Sequence, residues 1–290
     1  MELIHTVAWM KQVAAEARQN DRLLGLVPTM GALHEGHLSL VRAAQRDCSP
    51  VVVSIFVNPK QFGPSEDFQK YPRTLDADRA ALEKLQVDYV FAPPAEEMYP
   101  AGFSTWVNVD GLSDRLEGRA RPGHFRGVTT VVLKLFEIVQ PRFAFFGRKD
   151  AQQARIIRQM ARDLDLHSEI VVCPIVREVD GLAMSSRNAF LSTTDRRAAT
   201  VLSRSLERAR REIAGGETDI VRLIAAVRSV VDTEPGVKLD YAEIADADTL
   251  EPAMTLRKPC YIVLAAHVGN TRLIDNALIE PVGDSFVVSV

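Results

Sequence analysis

The residues richest in chemistry are two histidines three positions apart, His34 and His37, within Pro28-Thr29-Met30-Gly31-Ala32-Leu33-His34-Glu35-Gly36-His37. An apolar run precedes this segment and an amphipathic pattern follows it, so it reads as the turn between a strand and a helix. A helix N-terminus presents unpaired N–H groups and the positive end of the helix dipole, which suits a phosphate. Gly31 and Gly36 allow close backbone approach. Two imidazoles on one side of a helical turn can each donate to a phosphate oxygen or carry charge near neutral pH. A capped turn with surface histidines is the plainer alternative, but placement after the first sheet strand favours a nucleotide. Phe146-Gly147-Arg148-Lys149-Asp150-Ala151-Gln152-Gln153 has a similar design. There Gly147 permits close approach, Asp150 is placed to cap, and Lys149 aims a compact cation at the same crevice. Arg148 reads equally well as a solvated charge.

The pattern His34-x-Gly36-His37 resembles the HIGH signature of the nucleotidylyltransferase superfamily, which includes class I aminoacyl-tRNA synthetases. Those proteins carry a second, mobile loop that closes on the triphosphate, and Met184-Ser185-Ser186-Arg187-Asn188, after Asp180-Gly181, stands in that place. An arginine and two hydroxyls suit phosphate oxygens, although alone the same residues would read as a helix cap. PTMGALHEGH, VNPKQFGPSEDFQKYPRT, LEGRARPGHFRGVTTVVLKL, GRKDAQQ, DGLAMSSRN and the TRLIDN at 271–276 together resemble the motif set of the pantothenate synthetase family. The resemblance runs over essentially the whole chain, and the combination is specific where HxGH alone is not. Ala151 departs from it, since many members have an aromatic residue there.

The resemblance implies ATP-dependent condensation of (R)-pantoate with β-alanine through a pantoyl-adenylate, with release of AMP and pyrophosphate. Mg²⁺ is expected on the nucleotide phosphates, with no protein ligands assigned. ATP contacts carry over to Met30, Gly31, Ala32, Leu33, His34, Glu35, Gly36 and His37, to Gly147, Arg148, Lys149 and Asp150, to Val176, and to Met184, Ser185, Ser186 and Arg187. The catalytic role falls on His37, with His34, Lys149 and Arg187 stabilising charge. Pantoate contacts fall on Gln61 and Gln153, and β-alanine enters near Gln61. Neutral amides orient a carboxylate without an ion pair that would blunt its nucleophilicity. Arg121 is a candidate for the β-alanine carboxylate or for phosphate. Met30, Phe62, Val131 and Val132 could wall the gem-dimethyl group, with ordinary core packing nearly as good a reading of each. A cytoplasmic homodimer is implied by resemblance alone.

To place these residues the chain must build a sheet with helices on both faces. From about residue 22 to 175, strand-like runs (LLGLVPTM, PVVVSIFVN, VDYVFAP, RFAFFG, SEIVVCPIV) alternate with helical patterns. The strands are apolar throughout, as in a parallel sheet covered on both faces. This predicts an α/β fold: a doubly wound, Rossmann-like parallel sheet in residues 1–175 binding nucleotide and pantoate beyond the carboxyl strand ends. Residues 176–290 are expected to form a smaller α+β lid domain. Its expected parts are one long helix over TDRRAATVLSRSLERARREIA, a second helix capped at Thr218-Asp219, and strands at LDYAEIAD, PCYIVLAAHV and DSFVVSV.

Composition narrows the classes. With 35 Lys+Arg against 38 Asp+Glu the formal charge is -3, which argues against nucleic acid as a main partner and against a tRNA synthetase. Cys48, Cys173 and Cys260 are widely spaced, with no CxxC pair, and read as reduced thiols, Cys173 and Cys260 as small buried hydrophobes in apolar runs. The N-terminal residues do not resemble a signal peptide, and no apolar stretch reaches membrane-spanning length. A nucleotidylyltransferase acting on a phosphorylated substrate is the nearest rival, but it has no use for an amine site or paired glutamines. A non-enzymatic nucleotide-binding module would have no reason to keep every reactive group.

Overall fold

The structure is a computed structural model describing residues 1–64, 67–283 and 285–290. Ser65 and Glu66 of the VNPKQFGPSEDFQKYPRT motif and Asp284 of DSFVVSV lie outside the described residues. The chain divides into two compact units. One comprises Met1–Arg148 with Gln152–Pro174, and the other Lys149–Ala151 with Ile175–Val290.

The first unit runs β1 (Glu2–Ile4), α1 (Val7–Gln19), β2 (Gly25–Thr29), α2 (Glu35–Asp47), β3 (Val51–Ile55), α3 (Leu75–Lys84) and β4 (Tyr89–Phe91). It continues with α4 (Ala95–Met98), α5 (Glu117–Ala120), α6 (His124–Val139), β5 (Phe143–Gly147), α7 (Ala151–Asp163) and β6 (Glu169–Cys173). The six strands pair in the order β1-β4-β3-β2-β5-β6, every pair parallel. This is the doubly wound sheet. The order reverses between β2 and β5, the switch point at whose carboxyl edge such sheets bind ligands. Leu26, Val27, Val52 and Val53 are fully buried, as continuous apolar strands must be when helices cover both faces.

The N-terminal twenty residues, unassigned from sequence, add the edge strand β1 and the helix α1. Thr6 caps α1 by accepting from the Trp9 N–H at 3.3 Å. Met10, Val13, Ala14 and Ala17 form its buried stripe, with helical spacing.

In the second unit α8 (Thr193–Ala198), α9 (Val201–Ala214) and α10 (Ile220–Val231) precede β7 (Val237–Asp246), β8 (Cys260–Val268), β9 (Thr271–Val282) and β10 (Ser285–Ser289). The strands form an antiparallel sheet, order β10-β9-β8-β7. Leu202, Leu206, Ala209 and Ile213 of α9 share one core with Ile262, Leu264 and Ala266 of β8. The single long helix expected over 194–214 is instead two, α8 and α9. The Thr200 hydroxyl bonds the Arg197 carbonyl at 2.8 Å, and i→i−3 backbone bonds from Thr200 to Arg197 and from Leu202 to Ala199 tighten the joint. Asp219 caps α10 through the Val221 and Arg222 N–H groups.

Candidate active site

Thr29 ends β2 with its hydroxyl donating to the Ser54 carbonyl at 2.7 Å and accepting the Gly31 N–H at 3.1 Å. The chain then takes two consecutive left-handed residues, Gly31 (φ +81°) and Ala32 (φ +51°). A Cβ on Gly31 would stand 3.0 Å from Asp78 Oδ2 and 3.1 Å from Ile55 Cγ2, so the left-handed backbone favours glycine there and the space around it is tight. Asp78, in the first turn of α3 and 3% exposed, accepts the N–H of Ala32 at 3.0 Å and of Leu33 at 2.8 Å. Its carboxylate thus clamps a loop that an alanine would ordinarily leave.

His34 is the N-cap of α2. Its N–H reaches His37 Nδ1 at 3.4 Å, and the two rings lie 4.1 Å apart, centre to centre. With Nδ1 accepting, a neutral His37 carries its proton on Nε2. Both histidines are half-buried. In the loop before the helix, the amides of Gly31, Ala32, Leu33 and His34 have protein acceptors. The amides of Glu35 and Gly36, at the first two positions of α2, are left for an anion. The Glu35 carboxylate is paired with Arg42. Met30 is half-buried at the head of the loop.

Beyond β3 the chain makes a 3-10 turn over Pro59–Gln61, capped by Asn58. Asn58 is 1% exposed, and its two amide atoms are fully used. Its Oδ1 accepts the Lys60 N–H at 3.2 Å and the Tyr99 hydroxyl at 2.8 Å. Its Nδ2 donates to the Gly127 carbonyl at 3.1 Å and to Gln61 Oε1 at 3.0 Å. Burial pushes the Tyr99 phenol well above its ordinary value, so it stays a donor. Because the backbone N–H of Lys60 fixes which way Asn58 points, Gln61 must present its amide nitrogen on the other side. That nitrogen lies 3.2 Å from Met30 Sδ.

The N-terminal end of α6 closes on this turn. A Cβ on Gly127 would lie 2.2 Å from the Lys60 carbonyl oxygen and 2.7 Å from Gln61 Cα, so only glycine lets the two segments meet. His124 opens α6, and its Nδ1 lies 2.8 Å from the Gln61 carbonyl oxygen. The carbonyl only accepts, so Nδ1 carries the proton and Nε2 accepts from Arg121 Nη1 at 3.2 Å. Val131 and Val132 are buried on the same helix. Phe62 stacks on Phe68 and Tyr71, 5.3 and 6.0 Å between centres.

In α7 the neighbouring glutamines differ. Gln152, 7% exposed, accepts the Glu117 N–H and donates to the Leu112 and Arg115 carbonyls. Gln153 is half-buried and makes no side-chain hydrogen bond among the described residues. Gln152 is thus fixed to the fold, and Gln153 keeps its amide available. A Cβ on Gly147 would meet nothing within 4 Å, so the protein's own packing does not account for glycine at the end of β5. Arg148 to Asp150 form a 3-10 turn.

In the second unit the Val176–Met184 segment is a hairpin. Met184 N–H donates to the Val176 carbonyl at 3.0 Å, and Glu178 N–H to Leu182 at 2.8 Å. Gly181 turns it at φ +90°. Two bonds from Arg196, at 2.6 and 3.1 Å, hold the Asp180 carboxyl below its ordinary range. Ser185 caps the 3-10 turn Ser186–Phe190 by accepting the Arg187 N–H at 3.3 Å. Capping and phosphate contact do not exclude each other, since the hydroxyl hydrogen can still donate. Lys149, grouped with this unit, has its carbonyl bonded by Asn276 Nδ2 at 2.8 Å.

Asp78, Asn58, Tyr99 and His124 carry the architecture of the site and were not singled out in the sequence. Asp78 resembles any acidic residue in a helix's first turn. Asn58, directly before Pro59, does carry a capping signal.

The pantoate-beta-alanine ligase family model matches residues 2–278. A pantothenate synthetase of Acidobacterium capsulatum is 56% identical over 290 aligned positions, 96% of this chain and 97% of that one. One of Koribacter versatilis is 52% identical over 285 positions, 98% of each chain. Among solved structures, the pantothenate synthetase of Thermus thermophilus superposes with a TM-score of 0.91 at 44% identity, covering 95% of this chain and 98% of that one. The pantoate-beta-alanine ligase of Francisella tularensis, complexed with β-γ ATP and β-alanine, gives 0.79 at 35% identity, over 95% and 97% of the two chains. A doubly wound sheet ending in a clamped HxGH loop, matched along its length by these relatives, places the chain in the pantoate–β-alanine ligase family.

Proposed function

We propose that this chain is an ATP-dependent ligase joining pantoate to β-alanine. In the first step a pantoate carboxylate oxygen attacks the α-phosphorus of ATP, forming the acyl-adenylate and breaking the bond to pyrophosphate. In the second the β-alanine amine attacks the acyl carbon, the C–O bond to AMP breaks, and the amine loses its proton. The observation that carries the reading is the amide of Gln61. Asn58 holds its oxygen, so the amide nitrogen of this buried glutamine faces the HxGH loop, 3.2 Å from Met30 Sδ, and the second of its two N–H groups offers a carboxylate or hydroxyl oxygen a neutral partner. Gln153, unengaged beside a fully engaged Gln152, is the second pantoate donor.

The first step gathers negative charge, and preorganised donors are the main source of its acceleration. His37, protonated on Nε2, and His34 supply donors at the start of α2, with the Glu35 and Gly36 amides and the helix dipole behind them. Lys149 and Arg187 supply cations for the phosphates, and Ser185 and Ser186 hydroxyl donors. The open space before Gly147 suits a nucleotide passing close to backbone. Arg121, oriented by His124, is assigned the β-alanine carboxylate. Mg²⁺ fits as a companion of the nucleotide, which ordinarily brings phosphate and water ligands with it. Among the described residues no group of three or more His, Cys, Asp or Glu side chains forms a metal cage. When bound, the ion neutralises phosphate charge.

No helix among the described residues is long and apolar enough to cross a membrane. A homodimer is part of the proposal and is read by light scattering. Pyrophosphate release with ATP and pantoate alone, followed by AMP release on adding β-alanine, tests the function. Pyrophosphate release that needs no pantoate, or product without β-alanine, overturns it.

A further inference from the structure

The TRLIDN motif has no part yet in the reaction. It lies in β9, where Asp275 and Asn276 are each 2% exposed. Asp275 accepts both Arg177 terminal nitrogens, at 2.7 and 3.0 Å, and Arg177 Nη1 also donates to the Gly181 carbonyl at 3.0 Å. The guanidinium therefore ties β9 to the hairpin that leads into Met184. The next residue, Asn276, sends Nδ2 to the Lys149 carbonyl, and its own N–H bonds Asp275 Oδ1 at 2.8 Å.

We infer that Asn276 and Asp275 are positioning residues for adenylate formation: Asn276 fixes the backbone from which Lys149 extends, and Asp275, through Arg177, fixes the hairpin that delivers Met184–Arg187. The inference rests on the reading of Lys149 and Arg187 as phosphate-binding cations. A lysine ammonium sits on a flexible stem, so its place at a phosphate depends on a fixed anchor. A displacement of about 1 Å at the reacting groups lowers rate about 10²-fold. Asp275 is a poor probe, because removing it strands a buried guanidinium. Asn276 is neutral and can be changed almost without altering shape.

Asn276→Leu, neutral and nearly the same shape, removes the donor to Lys149, and Asn276→Ser keeps a shorter one. The measurement is pantoate-dependent pyrophosphate release, with wild type and Lys149→Ala alongside. Asn276→Leu should lower kcat about 10–100-fold and leave KM for pantoate within about twofold, with Asn276→Ser between it and wild type. In the Lys149→Ala background it should lower kcat no further, because its effect runs through that lysine. A folded Asn276→Leu protein with kcat within about threefold of wild type overturns the inference. So does a multiplicative loss in the double variant. Unfolding of both Asn276 variants also overturns it, since the residue would then support the domain and not the lysine. Failure of the wild-type chain to release pyrophosphate would remove the ligase reading instead, so the two failures are distinct.

Discussion

Replacing Asp78 with alanine tests whether the HxGH loop is held by one carboxylate. The side chain is 3% exposed and accepts two backbone N–H groups, at 3.0 and 2.8 Å. Hydrogen bonds to a charged partner contribute about 1.5–3 kcal/mol each, so two amount to about 3–6 kcal/mol before offsets. Alanine also removes the desolvation cost of the buried carboxylate, which brings the net loss to about 2–4 kcal/mol. At about 2–4 °C per kcal/mol for a chain of this size, the melting temperature should fall by roughly 4–16 °C. The loop then has nothing to hold Ala32 left-handed, a conformation that costs about 1–2 kcal/mol. If ATP must restore it, affinity for a non-hydrolysable ATP analogue falls about 5–30-fold. Calorimetry and a thermal melt read both numbers. Asp76, exposed in the same helical turn, is the control: Asp76→Ala loses only a dipole interaction of about 0.3–1 kcal/mol. An Asp78→Ala protein that melts and binds nucleotide like the Asp76→Ala control refutes the clamp.

His37→Ala should keep the fold and lower pantoate-dependent pyrophosphate release about 10²–10³-fold; near-normal turnover would move catalysis elsewhere. Gln61→Glu keeps an oxygen for Asn58 but turns the donor beside Met30 into a charged acceptor. Pantoate capture should fall at least about tenfold while ATP affinity holds, and an unchanged pantoate dependence sinks the assignment. Burial pushes Cys48 and Cys260 up to about 11, Asp47 and Asp246 adding to it, and raises Cys173 as well. A pKa raised this far leaves about 0.1% thiolate at pH 8, so iodoacetamide should label all three in urea and none in the native protein. Rapid labelling of any one would contradict its burial.

The parallel sheet was legible because buried parallel strands are apolar on both faces, and VVVSIFV cannot be mistaken for an exposed element. The edge strand β1 was not, since three residues carry no period. The joint between α8 and α9 was missed because Arg197 through Leu202 keep a helical apolar spacing, and only the Thr200 hydroxyl interrupts it. In the site, His34 and His37 could be found by spacing because they lie on one helical turn. Asp78, Asn58 and His124 could not, because their partners lie 45, 69 and 63 residues away. The same separation hides the clamp: a carboxylate from another helix takes the Ala32 and Leu33 amides of the loop, whereas the helix N-terminal amides expected from the sequence begin only at Glu35. Asp76 and Asp78 make the point within a single turn. In sequence both are acidic residues suited to their own helix's dipole, and two positions of rotation put one in solvent and the other against the HxGH loop. A first-turn carboxylate therefore compensates its own helix or organises a neighbouring loop according to the direction it faces, and that direction is set by the packing of α3, which the local pattern does not encode.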